Sequence, residues 1–261
     1  MKRQITIFAK RVLPQEIRFP LRKLNWRFQY FLQSNLGKNN PEGVVDPISQ
    51  KRFKKFIALN GHLLSPSNGA RNRQRLVWLY LQNETDIFKS PTKLLHVAPE
   101  LPYMEVFRKL PDLTYVPGDK MVEGYDNQSG IQNIDLTSLP FPDNDFDYII
   151  CNHVLEHIPN DKLAMREMYR VLKNQGAAII TIPIKESLKE TLEDPNAISP
   201  KERERLYGQW DHVRHYGLDV KDRLESVGFS VEMNRYADKF SKTDYEKYGL
   251  SADIIIVAKK G

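Results

Sequence analysis

The chain has 261 residues, 41% of them hydrophobic and 10% aromatic, with one cysteine, Cys151. That apolar content excludes a wholly disordered chain, and a lone cysteine excludes an intramolecular disulfide framework or an all-cysteine zinc site. The net charge of +6 invites a polyanion-binding reading. It is unevenly held, however: residues 1–80 carry 16 Lys+Arg against 3 Asp+Glu, giving +13, and residues 81–261 carry 23 against 30, giving −7. The basic charge belongs to the front of the chain, and the body is mildly acidic.

Residues 1–45 read as a basic N-terminal arm. Its apolar run Ile5–Ala9 is too short for a signal-peptide core, and the run Ala177–Ile184 is far short of a membrane span. The expectation is a cytoplasmic protein. Pro14 and Pro20 break the arm, and Leu21–Leu36 fits a basic amphipathic helix. Peripheral contact of residues 1–40 with an anionic membrane surface is one reading. An arm packed on the body is the preferred one.

Residues 46–70 contain two similar turn segments, Asp46-Pro47-Ile48-Ser49 and Ser65-Pro66-Ser67-Asn68, 15 residues apart. A zinc ribbon has two C-x2-C pairs at about that separation. Here the ligand positions hold Asp46, Ser49, Ser65 and Asn68, none a thiolate. The segment is therefore expected to keep a ribbon's turns without its metal, and no metal ligand is assigned anywhere in the chain.

Residues 71–261 form the expected main domain. Arg71–Leu81 has Leu76, Leu79 and Tyr80 at helical spacing, with its arginines (Arg71, Arg73 and Arg75) read as a solvated helix start. Strands are expected at Lys93–Ala98, Leu113–Val116, Ile131–Leu136, Asp147–Cys151, Ala177–Ile182, Ser230–Asn234 and Asp253–Lys259. Helices are expected at Met104–Leu110, Lys162–Leu172 and from an Asp219 N-cap to Val227, with Gly176 and Gly228 as stops. Strands alternating with helices predict an α/β fold with a doubly wound, mostly parallel sheet of seven strands. Ligands bind such sheets beyond the carboxyl ends of the strands, where the strand order reverses.

The strand ends are polar. Ala98, Pro99 and Glu100 follow the first strand; Asp119, 19 residues beyond Glu100, follows the second; Asp135 and Leu136 end the third; Asn152 and His153 follow the fourth. An acid at the Asp119 position suits a ribose diol, and one at Asp135 suits the amine of adenine. There is no G-x-G-x-x-G, so a dinucleotide is disfavoured against an adenosine-bearing cofactor without phosphates.

The run from Asp135 through Pro140-Phe141-Pro142-Asp143 and Asp147-Tyr148-Ile149-Ile150-Cys151 to His153-Val154-Leu155-Glu156-His157 resembles class I S-adenosylmethionine-dependent methyltransferases of the type-11 family. So does the continuation Glu167–Gly176 and Ile179–Pro183. The segment His96-Val97-Ala98-Pro99-Glu100, with Glu193-Asp194-Pro195 and Tyr207–Gly217, is similar to a subgroup with an H-x-A-P-E first motif whose relatives carry cysteines in the preceding ribbon. The wider family has glycines at the positions of Ala98 and Glu100 and an acid at that of His96.

The resemblance implies a Rossmann-like methyltransferase fold and S-adenosyl-L-methionine as cofactor. It implies cofactor contacts from His96, Ala98, Pro99, Glu100, Asp119, Lys120, Asp135, Leu136, Asn152 and His153. A hydroxyl acceptor would need a base, for which His153 and His212 are the candidates beside His157. Asp211, His212, Arg214 and His215 are expected to face the acceptor.

The expected reaction is methyl transfer to an oxygen or nitrogen of a small molecule or saccharide. A nucleic-acid methyltransferase using the basic front and a non-catalytic cofactor-binding protein are the alternatives. His153–His157 also fits the H-x-x-E-H zinc-peptidase pattern, with Glu156 orienting His157 in the competing reading, which is preferred. Asp143, Asp145 and Asp147 resemble a metal string but sit in a turn.

Overall fold

The computed structural model describes residues 43–120 and 130–261. The predicted Leu21–Leu36 helix and the membrane-contact reading of residues 1–40 fall outside them. No helix among the described residues is long and apolar enough to cross a membrane. The elements in chain order are β1 (Val44–Asp46), β2 (Lys51–Phe53), β3 (Ile57–Leu59), β4 (His62–Leu64), α1 (Asn72–Glu84), β5 (Thr92–Val97), α2 (Leu101–Phe107), β6 (Leu113–Asp119) and β7 (Gln132–Asn133). There follow β8 (Phe146–Asn152), α3 (Asp161–Val171), β9 (Leu172–Thr181), α4 (Pro200–Tyr207), α5 (Val220–Glu225), β10 (Ser230–Asn234), α6 (Lys242–Tyr248) and β11 (Ile255–Lys259).

Among the described residues the chain divides into two compact units, the first ending at Trp78 and including Phe240–Ser251, the second Leu79–Lys239 with Ala252–Gly261. The boundary therefore falls inside α1, not at residue 71, and a C-terminal segment joins the first unit.

In the first unit β1–β2 and β3–β4 are antiparallel hairpins. Fully buried Asp46 holds the ribbon-like segment together. Its Oδ2 accepts from the hydroxyls of Ser49 (2.7 Å), Ser65 (2.7 Å) and Ser67 (3.2 Å), and its Oδ1 from the Ile48 amide at 3.1 Å. The hydroxyl of Ser67 also lies 2.9 Å from those of Ser49 and Ser65. A carboxylate with a fan of hydroxyl donors thus joins the two turns. Of the four positions expected from the ribbon spacing three take part; Asn68 instead accepts from the Ala70 amide, and Ser67 takes its place.

Arg75 is not part of a solvated helix start. It is buried, donates to the carbonyls of Leu63, Ala70, Tyr248 and Gly249, and lies 3.8 Å over the Phe56 ring. Two of those carbonyls belong to the C-terminal end of α6, where a cation is favourable.

The second unit is built on a seven-stranded sheet of order β10-β11-β9-β8-β5-β6-β7. Pairs β5–β6, β5–β8, β6–β7 and β8–β9 are parallel, and β11 is antiparallel to both β9 and β10. This is the doubly wound α/β fold that the sequence led us to expect. The central strands are apolar runs because both faces are covered: Leu94, Leu95, Ile149, Ile150, Ala178 and Ile180 are fully buried. The strand order reverses between β5 and β8, which places the carboxyl ends of β5, β6, β7 and β8 side by side.

Several expectations need correction. The third strand, expected over Ile131–Leu136, is the two-residue edge strand β7, paired only with Gly118 and Asp119. Gly176 does not stop a helix: β9 begins directly after α3, and residues 173–176 bulge out between the Phe146–Leu172 and Tyr148–Ala177 pairs. Only glycine fits there, since a Cβ would lie 2.8 Å from the Lys173 carbonyl oxygen and 2.9 Å from that of Asp147. Asp219 makes no capping bond; its carboxylate accepts from Thr191 (2.6 Å) and Arg223 (3.2 Å). Helices α4 and α6 were not foreseen, although Ser199 and Glu202 form a capping box at the start of α4, and Ser241 and Gly249 cap α6.

Candidate functional site

A cavity of about 650 Å³ opens at the carboxyl ends of the central strands, all within the second unit. Its wall includes Ala98 after β5, Asp119 and Lys120 at β6, Ile134 to Thr137 after β7, and His153 and Val154 after β8. The segment His157–Asn160 and Asp211 complete it. Of the ten expected cofactor residues, Ala98, Asp119, Lys120, Asp135, Leu136 and His153 line the cavity. His96, Pro99, Glu100 and Asn152 do not.

Three of those four are bonded to one another. His96 is fully buried, with Nδ1 2.8 Å from the Tyr115 hydroxyl and Nε2 2.7 Å from Glu100 Oε2. The other oxygen of Glu100 accepts from Asn152 (3.2 Å), whose own oxygen accepts from the Thr181 hydroxyl (2.8 Å). This line of bonds crosses β6, β5, β8 and β9, cross-linking the strand ends. Burial pushes the Tyr115 hydroxyl far above its ordinary range, so it stays protonated. The H-x-A-P-E sequence thus puts an acid back within reach of the strand end by pairing Glu100 with His96.

Two of the strand-end residues have left-handed backbone, Ala98 (φ 47) and His153 (φ 53). Side chains other than glycine's adopt that region at a cost of about 1–3 kcal/mol. Here each residue is held by an amide bond to the neighbouring strand: Ala98 donates to the Gly118 carbonyl (2.8 Å) and His153 to that of Thr181 (2.7 Å). Gly118 is required by close approach, since a Cβ there would lie 2.3 Å from Ile134 Cδ1.

The two cavity acids differ. Burial raises the carboxyl of Asp119 above its ordinary value, partly offset by the Lys120 amide. Asp135 is lowered to about 2, first by the Lys120 ammonium at 2.6 Å and then by the Thr137 hydroxyl and amide.

The histidines also separate. His153 lines the cavity, and its Nδ1 is 3.2 Å from Glu156 Oε1. Glu156 therefore orients His153, not His157. Leu155–His157 is a single 3-10 turn, so His153 and His157 are not paired on an α-helix as the zinc-peptidase pattern requires. The His157 ring packs edge-on against His212 at 4.8 Å, and its Nδ1 faces the backbone oxygen of Asp211 (3.2 Å) and its carboxylate (3.4 Å).

His212 is buried and absent from the cavity wall, and burial lowers its pKa. Arg214 and His215 do not face the cavity either. Arg214 donates to the carbonyls of Leu155, Ile158 and Pro159 and to Glu193, and the His215 backbone pairs with Leu192. Asp143, Asp145 and Asp147 are bonded to Arg170, Lys93 and Lys173 respectively.

Residues 118–180 match the family described as methyltransferase domain. That segment runs from the carboxyl end of β6 into β9 and holds most of the cavity wall. An uncharacterized protein of Methanocaldococcus jannaschii is 44% identical over 96 residues, which is 37% of this chain and 36% of that protein. A demethylmenaquinone methyltransferase of Staphylococcus carnosus is 42% identical over 66 residues, 22% of this chain and 27% of its own length. The chain thus spans about a third or less of the curated relatives it matches. A solved S-adenosylmethionine-dependent methyltransferase from Mesorhizobium loti is 12% identical, with a TM-score of 0.49 over 71% of this chain and 98% of that one.

Sequence reasoning missed Ile134, Thr137, Val154 and Ile158–Asn160 in the wall. Asn160 carried a signal: it caps α3 by accepting from the Leu163 amide. A helix start just after a strand end is where a ligand-facing loop closes.

Proposed function

We propose that this protein is an S-adenosylmethionine-dependent methyltransferase acting on an oxygen or nitrogen of a small molecule or saccharide. The observation that carries the reading is the cavity at the strand-order reversal, with Asp119 at the end of β6 and Asp135, Leu136 and Thr137 after β7, inside a methyltransferase-domain match. The residues present fit the cofactor. Asp119 offers acceptors to a ribose diol, Leu136 and Ile134 an apolar surface to adenine, and Ala98 a backbone turn without bulk. Asp135 offers its Oδ2 to an amine in company with Lys120.

When bound, the cofactor supplies a methyl group already activated on a sulfonium. The chain's own contribution is then mainly alignment and exclusion of water. For a hydroxyl acceptor we assign proton removal to His153 in preference to His212, because His153 lines the cavity and His212 does not. With Nδ1–H donated to Glu156, the lone pair of His153 is on Nε2, which is buried and without a partner among the described residues, so the ring has to turn towards the cavity to take the proton. The quinone-type acceptor in the name of the relative is not carried over, since that match spans 22% of this chain.

The test is calorimetric titration of the full chain with S-adenosylmethionine. One equivalent is expected to bind, and Asp119→Ala to weaken it by roughly 100-fold, the loss of about two hydrogen bonds to a charged acceptor. No binding at millimolar cofactor overturns the proposal.

A further inference from the structure

The turn after β8 and the segment after α4 bring Glu156, His157 and His212 together. One ligating atom from each lies within 4.8 Å of the other two. Residues 55 and 56 positions apart in sequence meet here, where the Val213 amide donates to the Glu156 carbonyl at 2.9 Å. We propose that these three side chains form a binding site for a divalent transition-metal ion of the zinc type, with its remaining coordination position towards the cavity.

Two polar atoms of the cluster lack partners among the described residues. Glu156 is 1% exposed; its Oε1 meets His153, while its Oε2 is buried and unbonded. His212 is 7% exposed, and its Nδ1 is likewise buried and unbonded. Buried carboxylates and imidazoles are ordinarily paired, hydrogen-bonded or bound to metal. An ion held through these two atoms would satisfy both.

The third side chain already has one of its nitrogens supported. Asp211 sits against His157 Nδ1 through its backbone oxygen and its carboxylate. That leaves the far nitrogen, Nε2, for an ion, and a carboxylate or carbonyl on the non-ligating nitrogen is the usual support of a metal-bound histidine.

Two imidazoles and a carboxylate suit zinc, which takes three protein ligands and an open fourth position in reactive sites. Ligand distances of about 2.0–2.1 Å imply a tetrahedral spacing of roughly 3.4 Å, so the side chains draw in by at most about 1.4 Å on binding. His157 and Asp211 both line the cavity, so the fourth position would be filled by water or by an oxygen of a molecule in it. The site differs from the H-x-x-E-H reading: it drops His153 as a ligand and recruits His212. It does not depend on methyl transfer.

The test uses the full chain, stripped with a chelator and titrated with Zn²⁺ in competition with a chromophoric chelator. One equivalent is expected. His212→Ala and Glu156→Gln are each expected to weaken binding at least 10-fold, while His215→Ala, which alters a neighbouring half-buried imidazole outside the cluster, leaves it unchanged. Co²⁺ is expected to give a visible absorption band that His212→Ala abolishes. Circular dichroism separates lost ligation from lost folding; if His212→Ala unfolds the chain, His157→Gln, on a partly exposed side chain, replaces it. No tight binding to the unaltered chain, or equal binding by the folded variants, overturns the proposal. Cofactor calorimetry on the stripped protein reads the methyltransferase proposal separately.

Discussion

Replacing Arg214 with Met tests whether the cavity rim is held from behind. The Arg214 side chain is 3% exposed. Its Nη1 donates to the carbonyls of Leu155 (3.0 Å) and Ile158 (2.5 Å), its Nη2 to that of Pro159 (2.8 Å), and its Nε to Glu193 (2.9 Å). Ile158 and Pro159 belong to the cavity wall. Hydrogen bonds from a charged donor are worth about 1.5–3 kcal/mol each, so three carbonyl bonds total roughly 4–9 kcal/mol before relaxation. The carbonyls of the part-exposed rim regain water, which brings the expected net loss to about 4 kcal/mol, near the usual cost of breaking a buried ionic group. For a domain of this size that is a fall in Tm of about 8–16 °C.

Met keeps the apolar stem and the volume, so packing loss does not explain the effect. Arg214→Lys reaches fewer carbonyls and is expected to recover less than half. Thermal melting by circular dichroism reads both variants. A Tm for Arg214→Met within about 3 °C of the unaltered chain, a loss near 1 kcal/mol, refutes the reasoning.

Asp46→Ala removes the acceptor of three hydroxyls in the first unit and is expected to cost about 3 kcal/mol in denaturant unfolding, because the freed hydroxyls, 2.9 Å apart, can then donate to one another. Lys120→Met is expected to move the Asp135 titration up from about 2 towards the ordinary 3.8, read by NMR of its carboxyl carbon. Because the folded value of Asp135 is lowered, its stabilisation is present above the ordinary value and is lost as pH falls from 3.8 towards about 2, and Lys120→Met narrows that window. Gly118→Ala forces Ile134 to move and is expected to cost about 1–3 kcal/mol by overpacking, and to weaken cofactor binding because Ile134 lines the cavity.

The amino-acid sequence by itself determined the sheet. Leu94, Leu95, Ile149, Ile150 and Ala177–Ile180 are apolar without alternation, which only a strand covered on both faces tolerates, and the intervening helices force parallel pairing. The acids at the strand ends followed, because the carboxyl end of each strand is fixed once the strand is placed. Elements with little apolar burial were harder to read. α4 carries one buried residue, Tyr207, and α6 none, so hydrophobic periodicity had almost nothing to show, and only their caps marked them.

What only the tertiary structure decided is which polar side chains face the cavity. His96, Glu100 and Asn152 stand at strand ends in sequence, yet bond to one another across the sheet. His212 meets His157 and Glu156, and Arg214 reaches the rim carbonyls, through contacts between segments more than 50 residues apart. Local sequence fixes backbone periodicity, but a side chain's direction at a loop is set by the partners that satisfy it. Those partners come from elsewhere in the chain. The uneven charge belongs to the same division: residues 81–261 are net acidic by count, and pairs such as Lys120 with Asp135 and Arg214 with Glu193 appear only when the fold brings distant segments together.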